Sequence, residues 1–308
     1  MEDKPMKQYV RIIPALLAAV LLLTTSAMAG LLVDGKWLKA HRNDPNLVVV
    51  DVQNKPGSYD QGHIPGAVKV VRHVDLEDPT RYPPNKYPRQ RQFLNLMRRL
   101  GIDNDTTVVA YDDKPSIFAS RLLFVMELYG HDINKLKLLD GGIAKWKKEG
   151  NRLSTSSPLP RSARRYVTNG PDATLLVSWS DVFNDVIHKQ KPDVVLHDAR
   201  PLAEFNGTRI RAIRGGHIPG AVNLEAVKVA NNKDHAFKEV DDIRRAFVAA
   251  GITGDRTIYT YCHSSDRSAH AYMVLKHLLG YPRVKVYEGA WNEWAALTAL
   301  PAADEEYK

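Results

Sequence analysis

The phrase Gly-His-Ile-Pro-Gly-Ala-Val occurs twice in this chain, at residues 62–68 and again at 216–222, and no other feature restricts the fold so strongly. Other landmarks recur with it in the same order. Val48-Val-Val-Asp51 pairs with Val194-Val-Leu-His-Asp198, Thr107-Val-Val-Ala-Tyr-Asp112 with Thr257-Ile-Tyr-Thr-Tyr-Cys262, and Asp140-Gly-Gly…Trp146 with Glu288-Gly-Ala…Trp294. The paired positions Asp51/Asp198, His63/His217, Asp112/Cys262 and Trp146/Trp294 lie 147, 154, 150 and 148 residues apart. A solenoid repeats every ~20–50 residues, so a period this long means a duplicated domain. A chain of 308 residues has room for two.

Within each copy, short apolar runs alternate with helical patterns such as Arg91–Leu100 before Gly101 and Ser116–Tyr129 before Gly130. That alternation predicts the α/β class, with two domains that are each a parallel sheet flanked by helices. The expected division is residues 30–150, a linker over 151–172 and residues 173–308. The linker expectation rests on Ser154–Ser157, Pro158, Pro160 and Arg161–Arg165, a polar segment broken by proline. The two histidines of the repeated phrase are expected to hydrogen-bond its turn, and Trp146 and Trp294 to pack in the core.

The copies differ where chemistry is most expected. Cys262, the only cysteine, directly follows an apolar strand pattern (Ile258, Tyr259, Tyr261) and precedes a helical one (Ala269, Met273, Leu275, Leu278) closed by Gly280 and Pro282. The loop Cys262-His263-Ser264-Ser265-Asp266-Arg267 must therefore curl at a helix N-terminus. Such a curl turns backbone N–H groups inward, and the helix dipole adds partial positive charge, so the cradle favours an anion. A thiolate at its centre fits, with Arg267 adding full charge, whereas an Asp266 carboxylate facing the sulfur would oppose both. A small buried structural cysteine is the alternative reading; the polar residues around Cys262 argue against it. In open sheets of this class ligands bind at the carboxyl ends of strands, where Cys262 is placed.

The first residues are of another kind. Lys4, Lys7 and Arg11 precede the apolar run Ile12–Leu23, and Ala27-Met28-Ala29 supplies an A-x-A cleavage site before Gly30, so residues 1–29 read as a secretory signal peptide. The run is shorter than the ~18–20 residues that span a bilayer, which predicts no stable membrane insertion after cleavage and a periplasmic location. A lone cysteine in an oxidising compartment has no internal disulfide partner, which favours a chemical role. The net charge is +8, but the basic residues are scattered and no nucleic-acid module is recognisable, so no nucleic-acid partner is expected.

The strand, the loop of form C-x-x-x-x-R-S, the D-x-R phrase at Asp198–Arg200, the two G-H-I-P-G-A-V phrases and the closing E-G-A…W together resemble tandem-domain rhodaneses, the thiosulfate and 3-mercaptopyruvate sulfurtransferases, over residues 31–300. The resemblance implies an inactive first domain, because Asp112 stands at the cysteine position, and a catalytic second domain with its site near their interface. It implies that Cys262 takes the outer sulfur of a small anionic donor such as thiosulfate and passes it, as a persulfide, to cyanide or a thiol. A protein is a further candidate acceptor. No cofactor and no metal are expected.

By the same resemblance His263, Ser264, Ser265, Asp266 and Arg267 of the loop, with Arg200 and Arg211, bind the donor or the persulfide. Related phosphatases and arsenate reductases have a loop one residue longer, which disfavours that activity. One departure is Glu204, which stands where the better-known tandem enzymes carry a donor-binding arginine. Arg209, Arg211 and Arg214 are the candidates to replace that charge. A non-catalytic sulfane-sulfur or redox-binding module is the remaining alternative.

Overall fold

The computed structural model describes residues 30–304, so the expected signal peptide lies outside the described residues. Two five-stranded sheets are present. The first contains β1 (Leu32–Val33), β2 (Leu47–Asp51), β3 (Val68–Lys69), β4 (Thr107–Tyr111) and β5 (Leu136–Leu139), in the order β1-β5-β4-β2-β3. The second contains β6 (Leu176–Val177), β7 (Val194–Asp198), β8 (Ala221–Asn223), β9 (Thr257–Tyr261) and β10 (Val284–Tyr287), in the order β6-β10-β9-β7-β8. Every pairing is parallel, and the order of the second sheet repeats that of the first. The predicted α/β class and the duplication are both present.

Parallel strands covered on both faces need continuous apolar sequence. β2 meets this with Leu47-Val-Val-Val-Asp51, buried throughout, and β4 and β9 are buried from their second residue onward. In the repeated phrase the first glycine of the second copy, Gly216, has φ +87°, and a Cβ there would collide with the Ala303 carbonyl. The histidines bond the short helix that precedes the phrase and not its turn: His63 Nδ1 bonds the Tyr59 carbonyl at 2.9 Å and His217 Nδ1 the Phe205 carbonyl at 2.9 Å. Trp146 and Trp294 are buried.

The segment 151–172 is strapped to the first domain. Ser154 and His63 exchange backbone hydrogen bonds of 2.8 and 2.9 Å, Arg164 pairs with Asp103 at 3.0 Å, and Tyr166 is buried edge-on against Phe93.

The two domains share a continuous apolar core. At its centre the helix Ile117–Leu128 packs against Asp266–Tyr272, the two helices that follow the paired loops. Only Phe118 and Glu127 of the first helix escape burial, as expected of a helix enclosed on all sides. Phe124 meets Tyr272 edge-to-face with ring centres 4.7 Å apart, the Tyr272 hydroxyl donates to Glu127 at 2.9 Å, and Ser120 Oγ lies 3.2 Å from His270 Nδ1. The helix then opens into π-helical turns over Met273–Leu278, where four of the six side chains are buried. Among the described residues no helix is long and apolar enough to cross a membrane.

Phe124→Ala should destabilise the protein by about 3–5 kcal/mol, the usual cost of deleting a buried aromatic ring. Calorimetry should show both domains melting in one earlier transition, because the ring contacts both; a first-domain shift alone would contradict the shared core. Acid should act at the same interface. Burial pushes His270 down to about 4, below the ordinary value of about 6.5, so on acidification the unfolded chain binds a proton that the folded chain refuses. Its contribution is complete above about pH 6.5 and falls away toward pH 4. Between about pH 7 and pH 4.5, urea unfolding should show wild type losing about 2 kcal/mol more than His270→Gln. Equal losses would place the acid sensitivity elsewhere.

Candidate active site

β9 delivers the chain to Cys262 at the carboxyl edge of the second sheet, between the ends of β7 and β10. The chain then reverses at Ser265, whose φ of 67° is left-handed, and enters the helix at Asp266. The loop is fixed from outside at four carbonyls, that of Ser264 by Arg121 Nη1 of the first domain at 2.9 Å. The Trp291 N–H donates to the Cys262 carbonyl at 2.8 Å, the Asn292 N–H to that of His263 at 3.2 Å, and the Tyr87 hydroxyl of the first domain to that of Ser265 at 3.2 Å. Ser265 in turn donates its hydroxyl to the Glu288 carbonyl, so it shapes the loop from within.

The sulfur itself is fully buried. It belongs to a small apolar cluster with Ala199, Ala226 and Ala271 of its own domain and Ile117 of the first, against which Phe118 and Val227 also pack. One polar group reaches the sulfur: the Ser268 hydroxyl donates to Sγ at 3.8 Å. Ser268 was not among the residues expected from sequence to contact the sulfur. The signal was its place directly after Arg267, in the first helical turn facing back toward the loop.

The charged residues divide into three groups. Glu204, with its side chain 3% exposed, accepts from Arg267 Nη2 at 3.1 Å and Arg211 Nη1 at 3.2 Å. Burial of Arg267 works against its charge, but the Cys262 sulfur and Glu204 more than compensate and hold its pKa above the ordinary arginine value. Arg200 is engaged within its own domain, paired with Asp198 at 2.6 Å, donating to the Gly216 carbonyl at 2.8 Å and stacked over Trp291. Asp266 points to the first domain, where it pairs with Arg72 and lies 3.5 Å from Arg121; Ser264 Oγ donates to it at 3.1 Å. Burial would raise the Asp266 carboxyl, and these arginines more than offset that, holding it below the usual aspartate range.

Of the residues expected to act together, Arg267, Arg211 and Cys262 thus form one neighbourhood with Glu204. Arg200 and Asp266 are occupied by partners of opposite charge. Arg214 donates to the carbonyls of Trp294, Ala295 and Leu297, a structural use, and Arg209 is exposed. His263 lies beside the Glu204 group, and burial, reinforced by Arg211, lowers it to about 4, so it is neutral at pH 7 with a buried, unpartnered Nδ1. Among the described residues no cluster of three or more His, Cys, Asp or Glu side chains is arranged to hold a metal ion.

The first copy displays what such a loop accommodates. Asp112 follows β4 as Cys262 follows β9, and its carboxylate accepts the backbone N–H groups of Lys114 at 2.9 Å, Phe118 at 2.6 Å and Ala119 at 2.9 Å. Burial raises Asp112 to about 7 while these donors pull the other way. The loops differ in length. Four residues carry the chain from Asp112 to its left-handed serine, Ser116 (φ 57°), and three carry it from Cys262 to Ser265.

A family model described as the rhodanese-like domain matches the chain twice, over residues 34–149 and 182–297. The sulfur carrier protein TtuD of Thermus thermophilus is 37% identical over 283 residues, covering 89% of this chain and 97% of that protein. A Mycobacterium bovis protein provisionally named thiosulfate sulfurtransferase 1 is 34% identical over 278 residues, covering 89% and 98%. Among solved structures, an anaerobic ergothioneine biosynthesis enzyme from Chlorobium limicola superposes with a TM-score of 0.79 at 23% identity, over 90% of this chain and 71% of that one, a likeness of fold. With its two matched domains and these relatives, the chain belongs to the rhodanese-like family, as a tandem-domain enzyme of the sulfurtransferase type.

Proposed function

We propose that this protein moves a sulfane sulfur from a small anionic donor, thiosulfate or a similar compound, to a thiophilic acceptor, cyanide or a thiol, through a persulfide on Cys262. The observation that carries this reading is the paired loops. The first binds a carboxylate on three backbone N–H groups, and the second places a thiol at the same point with Arg267 beside it. Preorganised donors of this kind stabilise charge that develops during reaction.

The chemistry balances without a cofactor. The Cys262 thiolate attacks the outer sulfur of thiosulfate, the donor S–S bond breaks, and sulfite leaves with the electron pair. Cyanide or a thiolate then attacks the outer sulfur of the persulfide, and the Cys262 thiolate departs in its original state, a double displacement. In this reading Arg267 and Arg211 attract the donor, the loop N–H groups and the Ser268 hydroxyl hold the persulfide anion, and Ser264, Ser265 and Asp266 keep the loop in shape.

One observation favours a second reading. The sulfur is fully buried, which suits a module that stores or senses sulfane sulfur without turnover. Phosphatase or arsenate reductase activity is disfavoured, since the loop from Cys262 to Arg267 is the shorter form. We also propose export to the periplasm with cleavage before Gly30, resting on the basic, apolar and small-residue pattern of the first 29 residues.

The mature protein should convert thiosulfate and cyanide to thiocyanate, and thiosulfate alone should add the mass of one sulfur atom; Cys262→Ser should do neither. A mass gain without turnover toward any small acceptor would favour the storage module, and no gain with any sulfane donor would remove both readings. Expressed from its full sequence in a Gram-negative host, the protein should be recovered from the periplasmic fraction with Gly30 at its N-terminus. An intact Met1 in the cytoplasm would overturn the export proposal.

A further inference from the structure

Glu204 is a buried carboxylate with no part in the sulfur chemistry proposed above. It occupies the short helix Leu202–Phe205, which turns Leu202 outward, 59% exposed, and Glu204 inward, 2% exposed. Its two oxygens hold Arg267 at 3.1 and 3.3 Å and Arg211 at 3.2 Å. A carboxylate buried this deeply has to be compensated, and two guanidinium groups compensate it with one positive charge left over.

The other charges around the loop cancel. Asp198 is matched by Arg200, and Asp266 with Glu77 by Arg72 with Arg121. His263, lowered by its burial and by Arg211, is neutral at pH 7. Apart from the Cys262 thiolate, the surplus beside the cysteine is therefore one positive charge, where two unopposed arginines would have supplied two; with the thiolate counted the site is neutral.

We infer that Glu204 determines donor specificity by charge: the site takes monoanionic sulfane-sulfur donors in preference to dianionic ones. This rests on the sulfurtransferase reading. A second negative charge on the donor is repelled by the Glu204 carboxylate, whose side chain is 3% exposed and so is little screened by salt, while Arg211, 44% exposed, offers weaker compensation. Removing the Glu204 charge leaves both arginines free to bind a dianion. Removing the Arg211 charge leaves none in surplus.

The test uses two donors of like chemistry and unlike charge. Thiosulfate is a dianion that releases sulfite, whereas methanethiosulfonate is a monoanion that releases methanesulfinate by the same S–S cleavage. The quantity to measure is the ratio of kcat/KM for the two donors, with cyanide as acceptor, in wild type, Glu204→Gln and Arg211→Gln, each checked for an unchanged melting profile. Wild type should favour methanethiosulfonate. Glu204→Gln should move the ratio about tenfold toward thiosulfate, chiefly through KM, and Arg211→Gln should move it the opposite way.

A general loosening of the site would move both ratios in one direction. That outcome, or a ratio in Glu204→Gln within twofold of wild type, would overturn the inference. If intact mass shows no sulfur gain at Cys262 with either donor in any of the three proteins, the sulfurtransferase reading itself falls and the charge assignment with it.

Discussion

The Asp266 carboxylate, 10% exposed, is held between two guanidinium groups that both come from the other domain. Arg121, fully buried, also donates to the Ser264 carbonyl at 2.9 Å and to the carbonyls of Leu76 and Asn85, which ties the cysteine loop to the 76–85 segment of the first domain. Burying such an ion group costs several kcal/mol per charge and is tolerated only when every partner is in place. The conformation of the cysteine loop is therefore a property of the assembled pair of domains. Arg81 with Glu288 at 2.6 Å and Lys86 with Glu293 at 2.7 Å extend the same seam toward the end of the second sheet.

This arrangement gives the first domain a physical task although it has no cysteine. Its helix Ile117–Leu128 forms one wall of the shared core, and Ile117 covers the sulfur. The following helix of the second domain meets that wall through Tyr272 and His270. Cover, electrostatic support and packing all reach Cys262 from sequence about 140–190 residues away. At that distance in sequence, a domain without a cysteine is still an integral part of the surroundings of Cys262.

The repeat, the strand into Cys262 and the helix after it are legible in the sequence because each is a local pattern of a few residues. The arginine partners are not. Nothing near Arg72 or Arg121 in sequence marks them as groups that grip Asp266, and that long-range pairing is what turns Asp266 away from the donor role expected of it. Arg200 was expected to face a donor, but the carboxylate two residues before it, together with Trp291, binds it within its own domain. Glu204 is visible in the sequence as a departure from the family pattern; that it binds Arg211 and Arg267 together depends on how the short helix folds. The full burial of Cys262 depends on Ile117, contributed by the other domain.

The two loops differ by one residue, since the separation of the copies falls from 150 at Asp112/Cys262 to 149 at the left-handed serines Ser116/Ser265. Counted from the left-handed serines, Arg267 corresponds to Phe118 and Ser268 to Ala119. Exchanging Asp112 for cysteine would thus set a thiol in a wider ring, with neither the guanidinium nor the hydroxyl. To become a second reactive centre the first copy would need a deletion and at least three replacements together, and intermediates would lose the carboxylate that now satisfies its three N–H groups. Single substitutions in the first copy therefore cost it hydrogen bonds before they add any part of the second copy's arrangement.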